Sequence, residues 1–223
     1  MTQTKQIRKP WWESKSAALL KEFAKTGGGT YAAAKLHGLK YTRQHVRVRL
    51  PHELGECIVT LADPSSSSSG QAHVIGIKYS YRPRRKLEFD LCSAKRPAPG
   101  LLSGRLRPAA LPDSALNKRF RARASHPGLL RPVLKQDGLA EALELHPGAH
   151  IKLRLKAHEA SLSFSESVKH PDVPALVSSV QLMKLLIQGL YEQGVIYENH
   201  NLITIEITPR GASAPPVACL HVL

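Results

Sequence analysis

The stretch IGIKYSYRPRRKLEFDL, residues 75–91, decides the fold because its apolar residues recur at every second position. Ile75, Ile77 and Tyr79 alternate with Gly76 and Lys78, and the same period resumes after the Pro-Arg-Arg segment. A period of two is typical of a β-strand with one buried and one exposed face. The stretch predicts two strands, and their short separation predicts a hairpin between them. The cations at the predicted hairpin tip are Arg82, Arg84, Arg85 and Lys86.

The same alternation recurs on both sides of this stretch. The other segments that carry it are residues 46–50, 57–61, 120–124, 151–155, 162–164 and 202–207. Asp172 and Pro174 are typical of the start of a helix, and the apolar residues that follow predict a long buried helix ending at Gly194. We therefore predict an α+β fold with a largely antiparallel sheet in two halves. A Pro-rich connector joins the halves, and the long apolar helix covers one face.

Changes of composition along the chain predict its division into regions. Three consecutive glycines end the first helical pattern, and four prolines fall between residues 93 and 117, where little periodicity is seen. Such residues mark linkers and loops. The predicted regions are a basic N-terminal helix and Gly-rich linker at 1–40, a single α+β domain at 41–207 and a flexible tail at 208–223. Within the domain we predict a β-rich half at 41–92, the connector at 93–117 and a second half at 118–207.

The charge of the chain is unevenly distributed. The formal net charge is +15 at pH 7. Residues 1–135 contain 26 Lys and Arg against 8 Asp and Glu, whereas residues 136–223 contain 6 against 9. A strong excess of one sign attracts polymers and surfaces of the other sign. The first part of the chain therefore predicts an anionic partner, and the second part does not.

The residues that could carry chemistry lack catalytic or metal-binding spacing. Cys57, Cys92 and Cys219 are far apart and odd in number, so the sequence indicates neither a disulfide framework nor a thiolate zinc site. His146 and His150 are four residues apart, but a Pro-Gly pair between them breaks the helix that would aim both at one metal ion. We predict no metal and no cofactor. An enzyme is disfavoured because its site would have to be assembled from scattered residues.

The N-terminal segment predicts a helix that begins near Pro10 and docks on the core or lies on an anionic lipid surface. The residues of the membrane-surface alternative are Trp11, Trp12, Lys15 and Lys21. The longest apolar run, residues 173–191, is interrupted by polar side chains, so no segment is predicted to cross a membrane. Unpaired cysteines fit a reducing compartment, and the predicted location is the cytoplasm, either free or peripheral to a membrane.

Basic residues occupy the polar side of several predicted strands. They alternate with apolar residues, so their side chains point away from the core. If these strands share one sheet, the cations form a single face. The candidate anion-binding residues are Arg47, Arg49, Lys78, Arg82, Arg84, Arg85, Lys86, Arg121 and Arg123. Lys152, Arg154 and Lys156 follow the same pattern in a later strand.

An ordinary solvated face is the alternative to a binding surface. Carboxylates that interleave with the cations would neutralise them as cross-strand partners. The carboxylates that qualify are Glu88, Asp90, Glu166 and Glu206. In this interpretation, the predicted hairpin places Lys78 beside Glu88 or Asp90.

Residues 118–191 carry a recognisable pattern of apolar, Pro and Gly positions. It consists of Phe120, Pro127, Leu129 with Leu130, Leu139 with Leu143, Pro147-Gly148, a hairpin ending near Phe164 and the helix from Val173. This segment resembles an uncharacterised α+β domain of bacterial proteins, many of them membrane-associated, whose function is unknown. The resemblance implies an architecture and no mechanism.

These observations predict a non-catalytic binding domain that contacts an anionic partner by charge. The partner is the backbone of nucleic acid or an anionic membrane surface. Tyr79 and Tyr81 share the parity of Ile75 and Ile77, so we expect them in the core rather than stacked on bases. Two alternatives remain: a structural or assembly subunit that binds an acidic protein, and an enzyme with a dispersed site.

Overall fold

A computed structural model describes residues 14–37, 40–64, 72–96, 106–156 and 158–197 of the chain. The strands are β1 (Gly29–Ala32), β2 (Lys35–His37), β3 (Lys40–Thr42), β4 (His45–Arg49), β5 (Glu56–Ala62), β6 (His73–Tyr81), β7 (Phe89–Ser93), β8 (Arg107–Ala109), β9 (Phe120–Ala124), β10 (His150–Lys156) and β11 (Glu159–Val168). The helices are α1 (Lys15–Thr26), α2 (Ser114–Arg119), α3 (Pro127–Leu134), α4 (Leu139–Glu144) and α5 (Val173–Glu192).

Within these residues, nine strands form one antiparallel sheet, and β2 and β3 form a separate two-stranded ribbon. The order across the sheet is β1, β4, β5, β6, β11, β10, β7, β9, β8. The predicted antiparallel α+β fold is confirmed. The hairpin of β10 and β11, from the second half of the chain, lies between β6 and β7 from the first half, so the two halves interleave.

The predicted hairpin of residues 75–91 is wrong in its pairing. β6 pairs with β5 and β11, and β7 pairs with β10 and β9. Residues 82–88 instead cross the ends of β11 and β10, a distance of about 14 Å that a chain of this length spans easily. Alternation therefore predicted which side chains are buried, but not which strands are neighbours.

The long apolar helix α5 packs on one face of the sheet, as predicted. Its first turn contains Pro174 and is capped by Asp172, whose carboxylate accepts a hydrogen bond of 2.8 Å from the amide of Ala175. Helices α1, α3 and α4 contact α5 and lie on the same side. Because α5 buries residues such as Leu182 and Leu186 completely, it forms the centre of the hydrophobic core.

Helix α1 also belongs to the core. Ser14 caps it by accepting a 3.1 Å hydrogen bond from the amide of Ala17, and Leu20 and Phe23 are buried. Strand β1 follows within the segment predicted as a linker. Trp11 and Trp12, the predicted strand at 202–207 and the predicted tail at 208–223 lie outside the described residues.

Gly29 allows β1 to approach β4 closely. A Cβ at Gly29 would overlap Val46 Cγ1 and lie 3.0 Å from the carbonyl oxygen of Arg47. We expect Gly29→Val to lower the free energy of unfolding by about 2–3 kcal/mol, because overpacking forces the strands apart. Urea denaturation measures this loss. Thr30→Val places valine at the next, exposed position of β1, where the side chain is already branched, and serves as the control. An equal loss in both variants would exclude the close approach as the cause.

Candidate functional site

The sheet buries one face and exposes the other. On β4, β5 and β6, alternate residues such as Val48, Val59 and Ile77 are buried, whereas Arg47 and Lys78 on the opposite side are exposed. We call the exposed side the open face and the helix-covered side the core face. The alternation in the sequence therefore translates directly into two chemically different surfaces.

A single row of paired residues crosses the open face from β4 to β9. We call it the cationic row, and it consists of Arg47, Ile58, Lys78, Ser163, Lys152, Asp90 and Arg123. Each residue is the cross-strand partner of the next one. Because its four cations lie on every second strand, neighbouring cations are separated by two strand spacings, about 9.5 Å.

The two cations nearest β4 have uncharged neighbours in the row. Arg47 lies beside Ile58, and Lys78 lies between Ile58 and Ser163. Among the described residues, neither cation forms an ion pair. The expectation that Lys78 lies beside Glu88 or Asp90 is wrong, because β10 and β11 separate β6 from β7. This half of the row keeps its positive charge.

Asp90 neutralises part of the other half of the row. It lies between Lys152 and Arg123 and is 6% exposed. Its Oδ1 lies 3.1 Å from His150 Nε2, and its Oδ2 lies 3.5 Å from Arg154 Nη2. Burial lowers the pKa of His150 against the smaller opposing effect of Asp90. The neutral form of His150 is thereby favoured, so the negative charge of Asp90 is balanced mainly by neighbouring Arg and Lys side chains.

The other carboxylates predicted to neutralise the face do so only in part. Glu166 is on the core face, where it is buried, so its predicted role as an outer cross-strand partner is wrong. Glu88 accepts a 3.2 Å hydrogen bond from the amide of Leu155. Glu56 lies 3.9 Å from the exposed Arg49, a pair that stabilises little. Glu206 lies outside the described residues.

Small hydroxyl side chains line the centre of the open face. They are Ser161, Ser163, Ser165 and Ser167, at alternate positions of β11 between β6 and β10. Serine hydroxyls can donate to anionic oxygens without adding bulk between the cations. Sequence reasoning missed them, although the stretch SLSFSES, residues 161–167, places serine at every polar position of the strand.

The segment from Arg82 to Lys86 lies apart from the cationic row. Its four cations are exposed and follow the end of β6. The amide of Arg84 donates to the carbonyl oxygen of Val195 at 2.8 Å, and its guanidinium lies 5.9 Å from the ring centre of Tyr197. The segment is thus attached to the chain that follows α5, and it is not a hairpin tip.

Arg121 and Arg123 project from β9 on the open face and hold the described ends of the Pro-rich connector. Nη2 of Arg121 donates to the carbonyl oxygen of Arg96, and Nη2 of Arg123 donates to the carbonyl oxygen of Leu106 at 2.9 Å. Arg121 is cross-strand partner of Cys92. Both arginines therefore combine a structural contact with a position on the charged surface.

Tyr79 and Tyr81 are core residues. Their rings stack with centres 5.3 Å apart, and they are 1% and 4% exposed. The hydroxyl of Tyr79 donates to the carbonyl oxygen of Leu54 at 2.9 Å. Burial raises the pKa of both phenols, so neither ionises near neutral pH. Neither ring is available to stack on a base.

One serine, histidine and aspartate set comes together beside α1. Ser16 Oγ donates to Asp63 Oδ1 at 2.5 Å and lies 3.4 Å from His73 Nδ1. The carboxylate is 3.6 Å from the same ring nitrogen, so it cannot orient the imidazole from the opposite side as a catalytic triad requires. Ser16 is also fully buried. Among the residues that the structure describes, no cluster of His, Cys, Asp or Glu is arranged to hold a metal ion.

One helix in the described part of the chain, α5, is long and apolar enough to cross a membrane by length and composition. Half of the tested window is buried inside the protein. A core helix has the same properties, and α5 packs on the sheet. The apolar side of α1 is likewise occupied, because Ala17, Leu20 and Phe23 face the core.

Comparison with known proteins finds no matching family model and no matching curated protein. One solved structure is similar, the crystal structure of the mycobacterial trehalose monomycolate transport factor A, TtfA. The two chains share 10% identity, with a TM-score of 0.49, over 78% of this chain and 93% of that chain.

Proposed function

We propose that the protein binds nucleic acid through the phosphate backbone, using the open face. The cationic row carries this proposal, because it places four cations at regular intervals on the open face: Arg47 and Lys78, which are exposed, and Lys152 and Arg123, which are half-buried. Arginine and lysine are the side chains that contact phosphates most often. The serines of β11 supply neutral donors between the cations. A reducing compartment, the cytoplasm, fits this role.

The twist of the sheet favours a polymer over a flat membrane. Neighbouring strands rotate by about 20–25°, so the direction of the side chains turns by roughly 120–150° across the six strand intervals from β4 to β9. A planar lipid surface touches only a part of such a face. A nucleic acid strand can follow the turn and contact all four cations of the row.

Binding of this kind depends on the charge of the nucleic acid and not on its base sequence. Specific recognition requires base-edge contacts or aromatic platforms, and both tyrosines of β6 are buried in the core. The partner is therefore held by its phosphates, and affinity should be nearly independent of base sequence.

A salt series tests the proposal. The binding of a fluorescent duplex DNA of 20 base pairs is measured by anisotropy at several NaCl concentrations. Four phosphate contacts predict that the logarithm of the binding constant falls with the logarithm of salt concentration with a slope of about −3.6. Two duplexes of unrelated sequence should give the same affinity within about twofold.

Vesicles with and without phosphatidylglycerol are the comparison in the same buffers. Retention on anionic vesicles with no binding to DNA would replace nucleic acid by a membrane surface as the partner. A slope near zero, or failure to bind DNA at low salt, would refute the proposal.

A further inference from the structure

A cavity of about 360 Å³ opens on the open face where β7, β9 and β8 meet. This volume lies in the range of small-molecule sites. The residues that matter for its chemistry are Asp90 and Cys92 on β7, Arg121 and Arg123 on β9, Pro108 on β8 and Asn117 on α2. The cavity is too small for a nucleic acid strand, so a ligand bound in it is different from the nucleic acid proposed to bind the open face.

Hydrogen bonds fix the side chains around this cavity. Arg121 donates to the carbonyl oxygen of Arg96, and Asn117 both accepts from the amide of Leu111 at 3.0 Å and donates to its carbonyl oxygen at 2.9 Å. A guanidinium has five N–H donors, so Arg121 can keep its backbone contact and still donate to a ligand. A site with such fixed walls loses little conformational entropy on binding.

The charge around the cavity selects an anion. Its carboxylate, Asp90, is compensated mainly by Arg154 at 3.5 Å and by Lys152 beside it in the register, whereas His150 at 3.1 Å favours its neutral form. Arg121 is the cross-strand partner of Cys92 rather than of Asp90, and its guanidinium adds positive charge at the cavity. Arginine binds carboxylates and phosphates through two parallel hydrogen bonds.

The remaining lining is apolar. Pro108 and the thiol of Cys92 border the cavity. Burial raises the pKa of Cys92, and the nearby charge of Asp90 adds to this effect. Cysteine sulfur is a good nucleophile only as the thiolate. Its raised pKa keeps Cys92 protonated at neutral pH, where the thiol acts as an apolar wall of the cavity. A ligand here is held reversibly.

We propose that this cavity binds a small organic anion, with its acid group at Arg121 and an apolar chain against Cys92 and Pro108. The acid is a carboxylate or a phosphate monoester, since both match a guanidinium. The proposal does not depend on nucleic acid binding, because its ligand and its contacts are different.

Protection of Cys92 from alkylation tests the site without any change in its walls. In a Cys219→Ser background, the protein reacts with iodoacetamide at pH 9, where more of the Cys92 thiol is ionised than at neutral pH, in the presence of decanoate, decyl phosphate or decanol. Mass spectrometry quantifies the alkylated peptides. We expect at least one of the two anions to slow alkylation of Cys92 about fivefold or more, and decanol to have no effect. The better anion identifies the acid group. Cys57 is the internal control: its thiol is fully buried and burial raises its pKa to about 12, so it stays unmodified in the folded protein.

A matched pair of variants tests the role of the guanidinium. Arg121→Gln should weaken binding of the protecting anion about tenfold in calorimetry. Arg131 is exposed on α3, away from the cavity, and Arg131→Gln should leave the affinity unchanged. Equal protection by decanol would overturn the proposal, as would the absence of protection by both anions or unchanged binding in a folded Arg121→Gln protein. If circular dichroism shows that the Arg121→Gln protein is unfolded, the protection of Cys92 in the parent protein decides whether the proposal holds.

Discussion

The double variant Arg47→Glu, Lys78→Glu should bind duplex DNA on the order of 100-fold more weakly than the parent protein at 0.1 M salt. Both side chains are exposed, and their neighbours in the cationic row are Ile58 and Ser163, so the new carboxylates break no ion pair. Two phosphate contacts are lost and repulsion takes their place. The slope of affinity against salt should therefore decrease in magnitude by about 2. Anisotropy of a labelled duplex measures both quantities.

The control is a second double variant with the same change of net charge. Arg131 and Lys135 are exposed on and after α3, on the helix-covered side of the sheet. Arg131→Glu, Lys135→Glu should change affinity by less than about threefold. If the two double variants weaken binding equally, total charge and not the open face governs binding. If neither weakens it, the cationic row is not the binding surface.

Replacement of Glu166 by leucine should lower the free energy of unfolding by about 3–5 kcal/mol. Glu166 projects from β11 onto the core face, where one carboxylate oxygen lies 2.6 Å from His146 Nδ1. The other accepts a 3.1 Å hydrogen bond from the amide of Gly148. The side chains of His146 and Glu166 are nearly fully buried, so the substitution leaves a buried imidazole nitrogen and the amide of Gly148 without their acceptor. The loop between α4 and β10 loses its attachment to the sheet.

Two variants separate this effect from the loss of charge alone. Glu166→Gln keeps an acceptor oxygen and should cost about 1 kcal/mol. Glu144→Leu removes an exposed carboxylate that lies 3.8 Å from Arg119 and should cost less than about 0.5 kcal/mol. Urea unfolding followed by circular dichroism gives all three values. Similar losses for Glu166→Leu and Glu144→Leu would contradict a structural role of the buried carboxylate.

The sequence was sufficient to predict the faces of the long strands and the start of α5. Ile75, Ile77 and Tyr79 lie on the core face because a strand with one buried side must alternate. Pairing was not predictable in the same way, since alternation contains no information on which strand is adjacent. The short strands β1 and β8 were missed because three or four residues are too few to show an alternating pattern. Gly29 and Pro108 are also residues that are uncommon in strands.

The candidate site was predictable to a similar extent. Parity alone placed Arg47, Lys78 and Arg123 on a common side, and the register then aligned them in one row. Glu166 shares the parity of Phe164, which was a signal for the core face, but a carboxylate in the core needs partners that only folding supplies. The cavity beside Arg121 depends on β8 and α2, whose positions follow from tertiary contacts rather than from local pattern.

The interleaved strand order has a consequence for how the protein is made. β6 and β7 leave the ribosome before the hairpin of β10 and β11 that separates them in the finished sheet. Until residues 150–168 emerge, each of these two strands has one side whose backbone amides and carbonyls lack their final partners. Unsatisfied strand edges pair with other chains, so translation that stops before β10 should give a product that aggregates.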